Sequence, residues 1–232
     1  LTINAMAIDL RSRGLIDLHG GRTDLRAGRL RAVGKADARL EEDALRVLRV
    51  YRFAASPPPH HRKWSIDGPL RTALAHRASG LANIPAERVW GELSRLLDAP
   101  LADHALRLMH EDGVLQDLLL DRHPAAAGLD AFHGEGGRGE ERLALLLSDQ
   151  TGSEVEVILR ALTAPKRVLQ RVRRLVDGLR ASPPKAAREV RVLRYRWGED
   201  VEVMLRMTRA LEGLGASRGW ATAQDLVAST PA

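Results

Sequence analysis

The sequence predicts a mainly α-helical protein, and three observations carry that expectation. Two Phe, two Tyr and four Trp in 232 residues leave the cores to Leu, Val and Ala. That composition favours helix over sheet. Pro and Gly punctuate the chain between helix-length stretches whose apolar residues recur with helical spacing. Strand-like alternation is confined to residues 1–33, so a short β segment should precede a long helical part. A hydrophobic fraction of 44% supports ordinary cores, and the length suits one large domain or two to three small ones.

In chain order, Leu1 to Leu10 opens as a strand-like alternation, with the strand itself expected over Ala5 to Leu10. Ser12-Arg13-Gly14 reads as a turn and Leu15 to Asp17 as a second strand, together a β-hairpin signal. Gly20-Gly21 break the pattern, Asp24 opens a short helical turn closed by Gly28, and Leu30 to Val33 form a third strand. These pieces bury little alone and are expected to complete a larger sheet.

The spacing then predicts one helix from Ala38 to Ala55. On a helical wheel Glu42, Asp43, Arg46 and Arg49 fall within one arc of about 120°. Leu45, Val47, Leu48, Val50, Tyr51, Phe53 and Ala54 cover most of the rest, as in a helix buried against several neighbours. Two readings of the charged stripe stay open. One is a structural i, i+4 ion pair between Glu42 and Arg46. The other is a recognition edge, because a carboxylate only accepts hydrogen bonds and a guanidinium only donates. An Asp/Arg pair matches an amino group beside a ring acceptor nitrogen, as in cytosine and adenine. Uracil and guanine reverse that order and would leave charged groups unsatisfied.

Ser56 to His61 read as an irregular loop in which His60 and His61 are solvated rather than ligating. Helices follow over Pro69 to Arg77, from Pro85 onward with Leu93, Leu96 and Leu97 as its core face, and over Leu101 to His110. Residues 130–140 are glycine-rich, expected to form a flexible interdomain or surface loop, and carry no phosphate-cradle motif. Further helices are expected over Glu140 to Leu147, Glu154 to Leu162, Pro165 to Leu179, Pro184 to Tyr195 and Val201 to Leu214. A short helical remnant should start at Gln224 and end in a frayed terminus.

Several chemistries are excluded by residue type. Without cysteine there are no disulfides and no thiolate zinc sites. The chain has no HExxH, its serines lack a GxSxG setting, and His104 and His110 do not share a helix face. No apolar run approaches membrane-spanning length and no signal-peptide pattern opens the chain, so a cytoplasmic protein without membrane contact is expected. The net charge of +6 is uneven: residues 160–218 hold fifteen Lys/Arg against six Asp/Glu. Such a basic half suits a polyphosphate partner.

Four motifs in order over residues 1–97 resemble one family. Leu1-Thr2-Ile3-Asn4-Ala5 matches the end of an Arg-Arg-Asp-x-Thr-x-Asn-Ala stretch. Asp17-Leu18-His19-Gly20-Gly21-Arg22-Thr23-Asp24-Leu25 and Arg31-Ala32-Val33-Gly34 match an Asp-x-x-Gly-Gly-x-x-Asp-Leu turn and a strand ending in Val-Gly. Glu42 to Arg49 matches Glu-Asp-x-x-Arg-x-x-Arg, and Glu87-Arg88 with Glu92-Leu93 matches Glu-Arg-(x)n-Glu-Leu. The chain thus resembles class II tRNA nucleotidyltransferases, the CCA-adding enzymes and bacterial poly(A) polymerases.

The resemblance implies a β remnant of a nucleotidyltransferase palm (residues 1–36), a nucleotide-selecting helical neck (37–100) and an RNA-binding helical body and tail (101–232). It implies that Asp43 and Arg46 read incoming CTP or ATP, with Glu42 and Arg49 orienting them and Asn4 beside the sugar–phosphate. Asp17, Gly20 and Gly21 would form a hinge, and Glu87 and Arg88 would brace the neighbouring helix turn. Basic residues such as Arg167, Arg171 and Arg174 would grip the acceptor arm of tRNA. The family's catalytic Asp-x-Asp pair, which holds Mg²⁺, lies upstream of the matched stretch. The chain is therefore expected to be an N-terminally truncated member with no metal ligands and no catalytic residue, inactive by itself. The motifs leave open CCA addition, poly(A) addition and a non-catalytic RNA-binding helical protein.

Overall fold

The computed structural model describes residues 1–131, 139–215 and 220–230. It separates into two compact units, Leu1–His123 and Pro124–Ala232.

In the first unit, Thr2–Asn4 form a 3₁₀ turn where strand was expected. β1 (Ala7–Ile8) and β2 (Leu15–Ile16) pair antiparallel, Ala7 opposite Ile16 and Ile8 opposite Leu15. The expected hairpin is present but short. Its turn is closed by the Asp9 carboxylate, which accepts the N–H groups of Arg11 and Ser12, both at 2.8 Å. α1 (Gly21–Arg26) begins three residues before Asp24, because Asp17 supplies its cap. The Asp17 carboxylate accepts the N–H groups of Gly21 (2.7 Å) and Arg22 (2.9 Å). Gly28, at φ +61°, turns the chain into β3 (Arg29–Leu30). β3 pairs parallel with β4 (Ser65–Ile66), a strand that the sequence pattern did not reveal.

The expected single helix is two: α2 (Ala36–Glu42) and α3 (Leu45–Ala54). Asp43 is extended (φ −156°, ψ 101°), and its own carboxylate accepts the Leu45 N–H at 3.2 Å. A short acid that bonds the backbone locally competes with helix continuation, and here it starts a new helix instead. The four-residue stripe therefore does not lie on one helix face.

α4 (Gly68–Arg77) is capped by Asp67, which accepts the Leu70 N–H at 3.3 Å, with Pro69 in the first turn. A 3₁₀ segment, Ala78–Asn83, replaces the break expected at Ser79-Gly80. α5 (Ala86–Leu97), α6 (Ala102–Glu111) and α7 (Val114–Leu118) complete the unit. α3 packs against α5 and α6 and buries Val47, Leu48, Tyr51 and Ala54 completely. The expected boundary after residue 100 falls inside this unit. Leu101 N–H donates to the Ala55 carbonyl at 2.7 Å, and the Tyr51 hydroxyl donates to Asp112 at 2.8 Å, fastening α6 to α3.

The second unit comprises α8 (Ala126–Asp130), α9 (Gly139–Leu146), α10 (Gly152–Ala161), α11 (Lys166–Leu179), α12 (Ala187–Trp197), α13 (Val201–Gly213) and α14 (Trp220–Ser229). Thr151 and Glu154 form a reciprocal capping box at the start of α10. α11 packs against α9, α10 and α13, burying Val172, Leu175 and Val176. α8 approaches α9 so closely at Gly128 that a Cβ there would strike the Leu145 carbonyl. The glycine-rich loop expected over residues 130–140 lies, for residues 132–138, outside the described residues. α14 begins at Trp220, earlier than the expected remnant at Gln224.

Candidate functional site

Within the first unit, a cleft of about 430 Å³ opens beside α3. Arg46, Arg49, Val50 and Phe53, spaced three and four apart, form one wall. Asn4 and Arg39 line it as well, with Val33, Leu40 and Leu70 as further apolar surface. The lining side chains include three guanidiniums and no carboxylate; the acids that pair with those guanidiniums, Glu42 and Glu92, are not among the lining residues. Its lining thus mixes apolar and cationic side chains.

Asn4 is placed by a buried network that motif reading did not single out. The Thr2 N–H donates to the Arg31 carbonyl at 2.9 Å, and the Thr2 hydroxyl donates to Asp24 at 2.7 Å. Asp24 is fully buried and also accepts Nε of Arg29 (2.8 Å) and of Arg31 (2.9 Å). Burial pushes the Asp24 carboxyl up, and hydrogen bonds from Thr2, Arg31 and Arg29 more than reverse it, leaving it below the usual carboxylate range. The Thr2–Asn4 turn is thereby tied to α1 and β3.

The acidic residues of the stripe separate. Glu42 accepts Nη1 of Arg46 at 2.7 Å and Nη1 of Arg39 at 3.0 and 3.2 Å. Hydrogen bonds from Arg46, then Arg39, hold the Glu42 carboxyl below its ordinary value. Asp43 faces Arg88 at 3.7 Å across a half-exposed pair and is not among the residues lining the cleft. Arg49 and Arg52 both point Nε at Glu92, at 3.4 and 2.7 Å. Glu92 is only 4% exposed, so α5 provides a buried anchor for the arginines of α3. Glu87 is exposed in the first turn of α5, where a carboxylate meets the positive end of the helix. Asp17, Gly20 (φ +74°) and Gly21 form the cap of α1. A Cβ on Gly21 would strike the Thr2 carbonyl. Backbone hydrogen bonds from Arg22 and Gly21 lower the Asp17 carboxyl.

In the second unit the three singled-out arginines of α11 have different fates. Arg171, 17% exposed, donates Nε to Asp200 at 3.0 Å, pairs closely with Glu140, and lies 3.9 Å from Glu141. It is a structural centre, and its guanidinium is turned inward rather than toward a solvent-borne ligand. Arg174 is half-exposed beside Asp200 at 3.4 Å, and Arg167 is 88% exposed with Glu140 at 3.6 Å. A separate groove of about 750 Å³ is lined by Arg160, Lys166, Arg173, Arg174 and Arg196, with Glu156 and Asp177. On α12, Arg188, Arg191 and Tyr195 share an exposed face, and Tyr195 is 95% exposed. Arg194 of the same helix turns inward and donates to the Val227 carbonyl of α14 at 2.8 Å.

Among the described residues no three His, Asp or Glu side chains are placed to hold a metal ion. Among the same residues no helix is long and apolar enough to cross a membrane.

Residues 65–126 match the family model described as the probable RNA and SrmB-binding site of polymerase A. The chain is 33% identical over 189 residues to the CCA-adding enzyme of Geobacillus thermodenitrificans, covering 80% of this chain and 45% of that protein. It is 39% identical over 119 residues to the mitochondrial CCA tRNA nucleotidyltransferase 1 of Danio rerio, covering 50% of this chain and 26% of that one. Among solved structures, the Bacillus stearothermophilus CCA-adding enzyme in complex with CTP superposes with a TM-score of 0.64 at 25% identity. That match covers 98% of this chain and 56% of the other. The aligned stretches thus span between about a quarter and just under half of these curated relatives.

Proposed function

We propose that this chain, a class II tRNA nucleotidyltransferase-like protein, carries the nucleotide-selecting and tRNA-holding parts of a CCA-adding enzyme. The observation that carries this reading is the cleft beside α3. Arg46 and Arg49 of the family's motif line it together with Asn4 of the first motif, although about forty residues separate them in sequence.

In this reading Arg46 donates to the ring acceptor of cytosine (N3) or adenine (N1), while Asp43 accepts from the exocyclic amino group. Arg46 spends Nη1 on Glu42 and on the Arg39 carbonyl, which leaves Nε and Nη2 for the base. Asp43 reaches the same edge by leaving Arg88, a half-exposed pair whose 3.7 Å separation makes it weak. Arg49, anchored by Glu92, supports the edge from the next turn. Asn4 contacts the sugar–phosphate, the Asp17–Gly21 cap acts as a hinge, and Glu87 and Arg88 brace the start of α5. In the second unit Arg167, Arg174 and the exposed face of α12 meet tRNA phosphates, while Arg171 serves the fold. A cytoplasmic setting, where tRNA and nucleoside triphosphates meet, fits these partners.

Calorimetric titration of the chain tests this. CTP and ATP should bind with similar affinity and both more tightly than UTP or GTP, and tRNA should bind with a steep salt dependence. A second reading, poly(A) addition, draws support from the polymerase A description of the model matched by residues 65–126. Binding of ATP with exclusion of CTP would favour it. Binding of tRNA with no nucleotide binding would favour a non-catalytic RNA-binding protein.

A further inference from the structure

Arg39 lies three residues before Glu42 and seven before Arg46, and its side chain lines the same cleft as Arg46. Its Nη1 donates to both oxygens of Glu42, at 3.0 and 3.2 Å. Glu42 Oε2 in turn accepts Nη1 of Arg46 at 2.7 Å. The carbonyl oxygen of Arg39 accepts that same Arg46 Nη1, also at 2.7 Å. This carbonyl belongs to the last turn of α2, where C=O groups have no partner within their own helix. The break at Asp43 therefore turns an unused helix-end carbonyl into part of a seat for Arg46.

The seat has two acceptors, and Arg39 contributes to both. Its backbone provides one directly. Its side chain tethers the other, the Glu42 carboxylate, which is half-exposed and otherwise free to rotate. An exposed Glu–Arg pair by itself holds geometry weakly. A carboxylate gripped from two sides keeps its oxygen where Arg46 Nη1 needs it, which is how a supporting residue preorganises a recognition group.

We propose that Arg39 is a positioning residue for base selection, holding Glu42 against Arg46 so that the rest of the Arg46 fork presents a fixed edge to the nucleotide. This rests on the base-reading role of Arg46 given above. The test has two independent readouts on the intact chain. In ¹⁵N NMR of the arginine side chains, Arg46 should show restricted guanidinium rotation and slow Nε–H exchange in the unsubstituted protein. Arg39→Gln should speed that exchange several-fold, and Arg39→Lys, which returns a cation to Glu42, should restore much of it. In calorimetric titration, Arg39→Gln should lower the preference for CTP over UTP about tenfold, with a smaller change in CTP affinity itself. Circular dichroism melting confirms that each variant is folded. Arg46 signals that are unchanged in Arg39→Gln would overturn the positioning role whatever the nucleotide results. An unsubstituted chain that binds all four nucleotides alike would instead overturn base reading by Arg46 and, with it, a role for Arg39 in selection. Retained selectivity with a loosened Arg46 would likewise sink the selection role.

Discussion

α3 and α11 are both arginine-rich amphipathic helices, and the protein uses their arginines in opposite ways. On α3, Arg46 and Arg49 are half-exposed and line a cleft, each steadied on one side by a carboxylate. On α11, Arg171 is drawn inward among Glu140, Glu141 and Asp200 and is only 17% exposed. The difference lies in how many acids surround each guanidinium. One carboxylate per arginine leaves donors to spare, whereas Arg171 commits Nε to Asp200 and Nη1 to Glu140 with Glu141 close behind. Arginine content thus reports charge, and the placement of acids decides which charge is available to a ligand.

The largest expected effect that tests this contrast is at Arg171. Arg171→Met removes the guanidinium shared by Glu140, Glu141 and Asp200, leaving them the more exposed Arg167, Arg206 and Arg174. The substitution should cost about 2–3 kcal/mol of stability, read as a lower urea midpoint for the second unit. A loss below 1 kcal/mol would mean that Arg171 is not the centre of that cluster. Next is Glu92→Ala on α5. Arg49 and Arg52 are partly exposed and can turn to water, so the loss should be smaller, about 1–2 kcal/mol. It should be accompanied by weaker CTP binding, because Arg49 lines the cleft.

A pH effect follows from Asp24, which ties the Asn4 turn in place. Its folded pKa lies below the unfolded value of 3.8, so the unfolded state takes up the proton first as pH falls. Its stabilising contribution is complete above the unfolded value and is lost as pH drops through the folded one. Calorimetric melting of Asp24→Asn should show a lower Tm at neutral pH and a flatter decline in acid than the unsubstituted chain. Parallel declines would remove Asp24 from that role. The smallest effect is expected at Arg167, 88% exposed. Arg167→Ala should change stability by less than about 0.5 kcal/mol and reduce the salt slope of tRNA binding by about one. A slope unchanged by this substitution would remove Arg167 from the RNA contact.

Much of the fold could be read from local pattern. Apolar spacing with Pro and Gly punctuation located α4 to α6 and α9 to α13 to within a few residues, since amphipathic period and caps are properties of neighbouring residues. Asp43 was misread because a wheel assumes helix throughout. The signal against that assumption was local, an Asp immediately before the apolar run Ala44-Leu45 where an N-cap belongs. β4 left no signal, as two residues in a loop have no period, and their partner β3 lies 36 residues earlier. The Asp24 network was equally hidden, because Thr2 is 22 residues away from the carboxylate that fixes it.

By itself the sequence determined a helical protein, a basic second half, and an acid–arginine motif whose residue types suit reading cytosine or adenine. Tertiary structure alone decided which of those charges face a ligand. Glu92 comes to Arg49 from 43 residues away and Asp200 to Arg171 from 29. Periodicity extends over a few turns of one helix, whereas an ion pair depends on distance through space. Only the packing of α3 on α5, and of α11 on α9 and α13, could settle whether each arginine holds the fold together or faces the cleft.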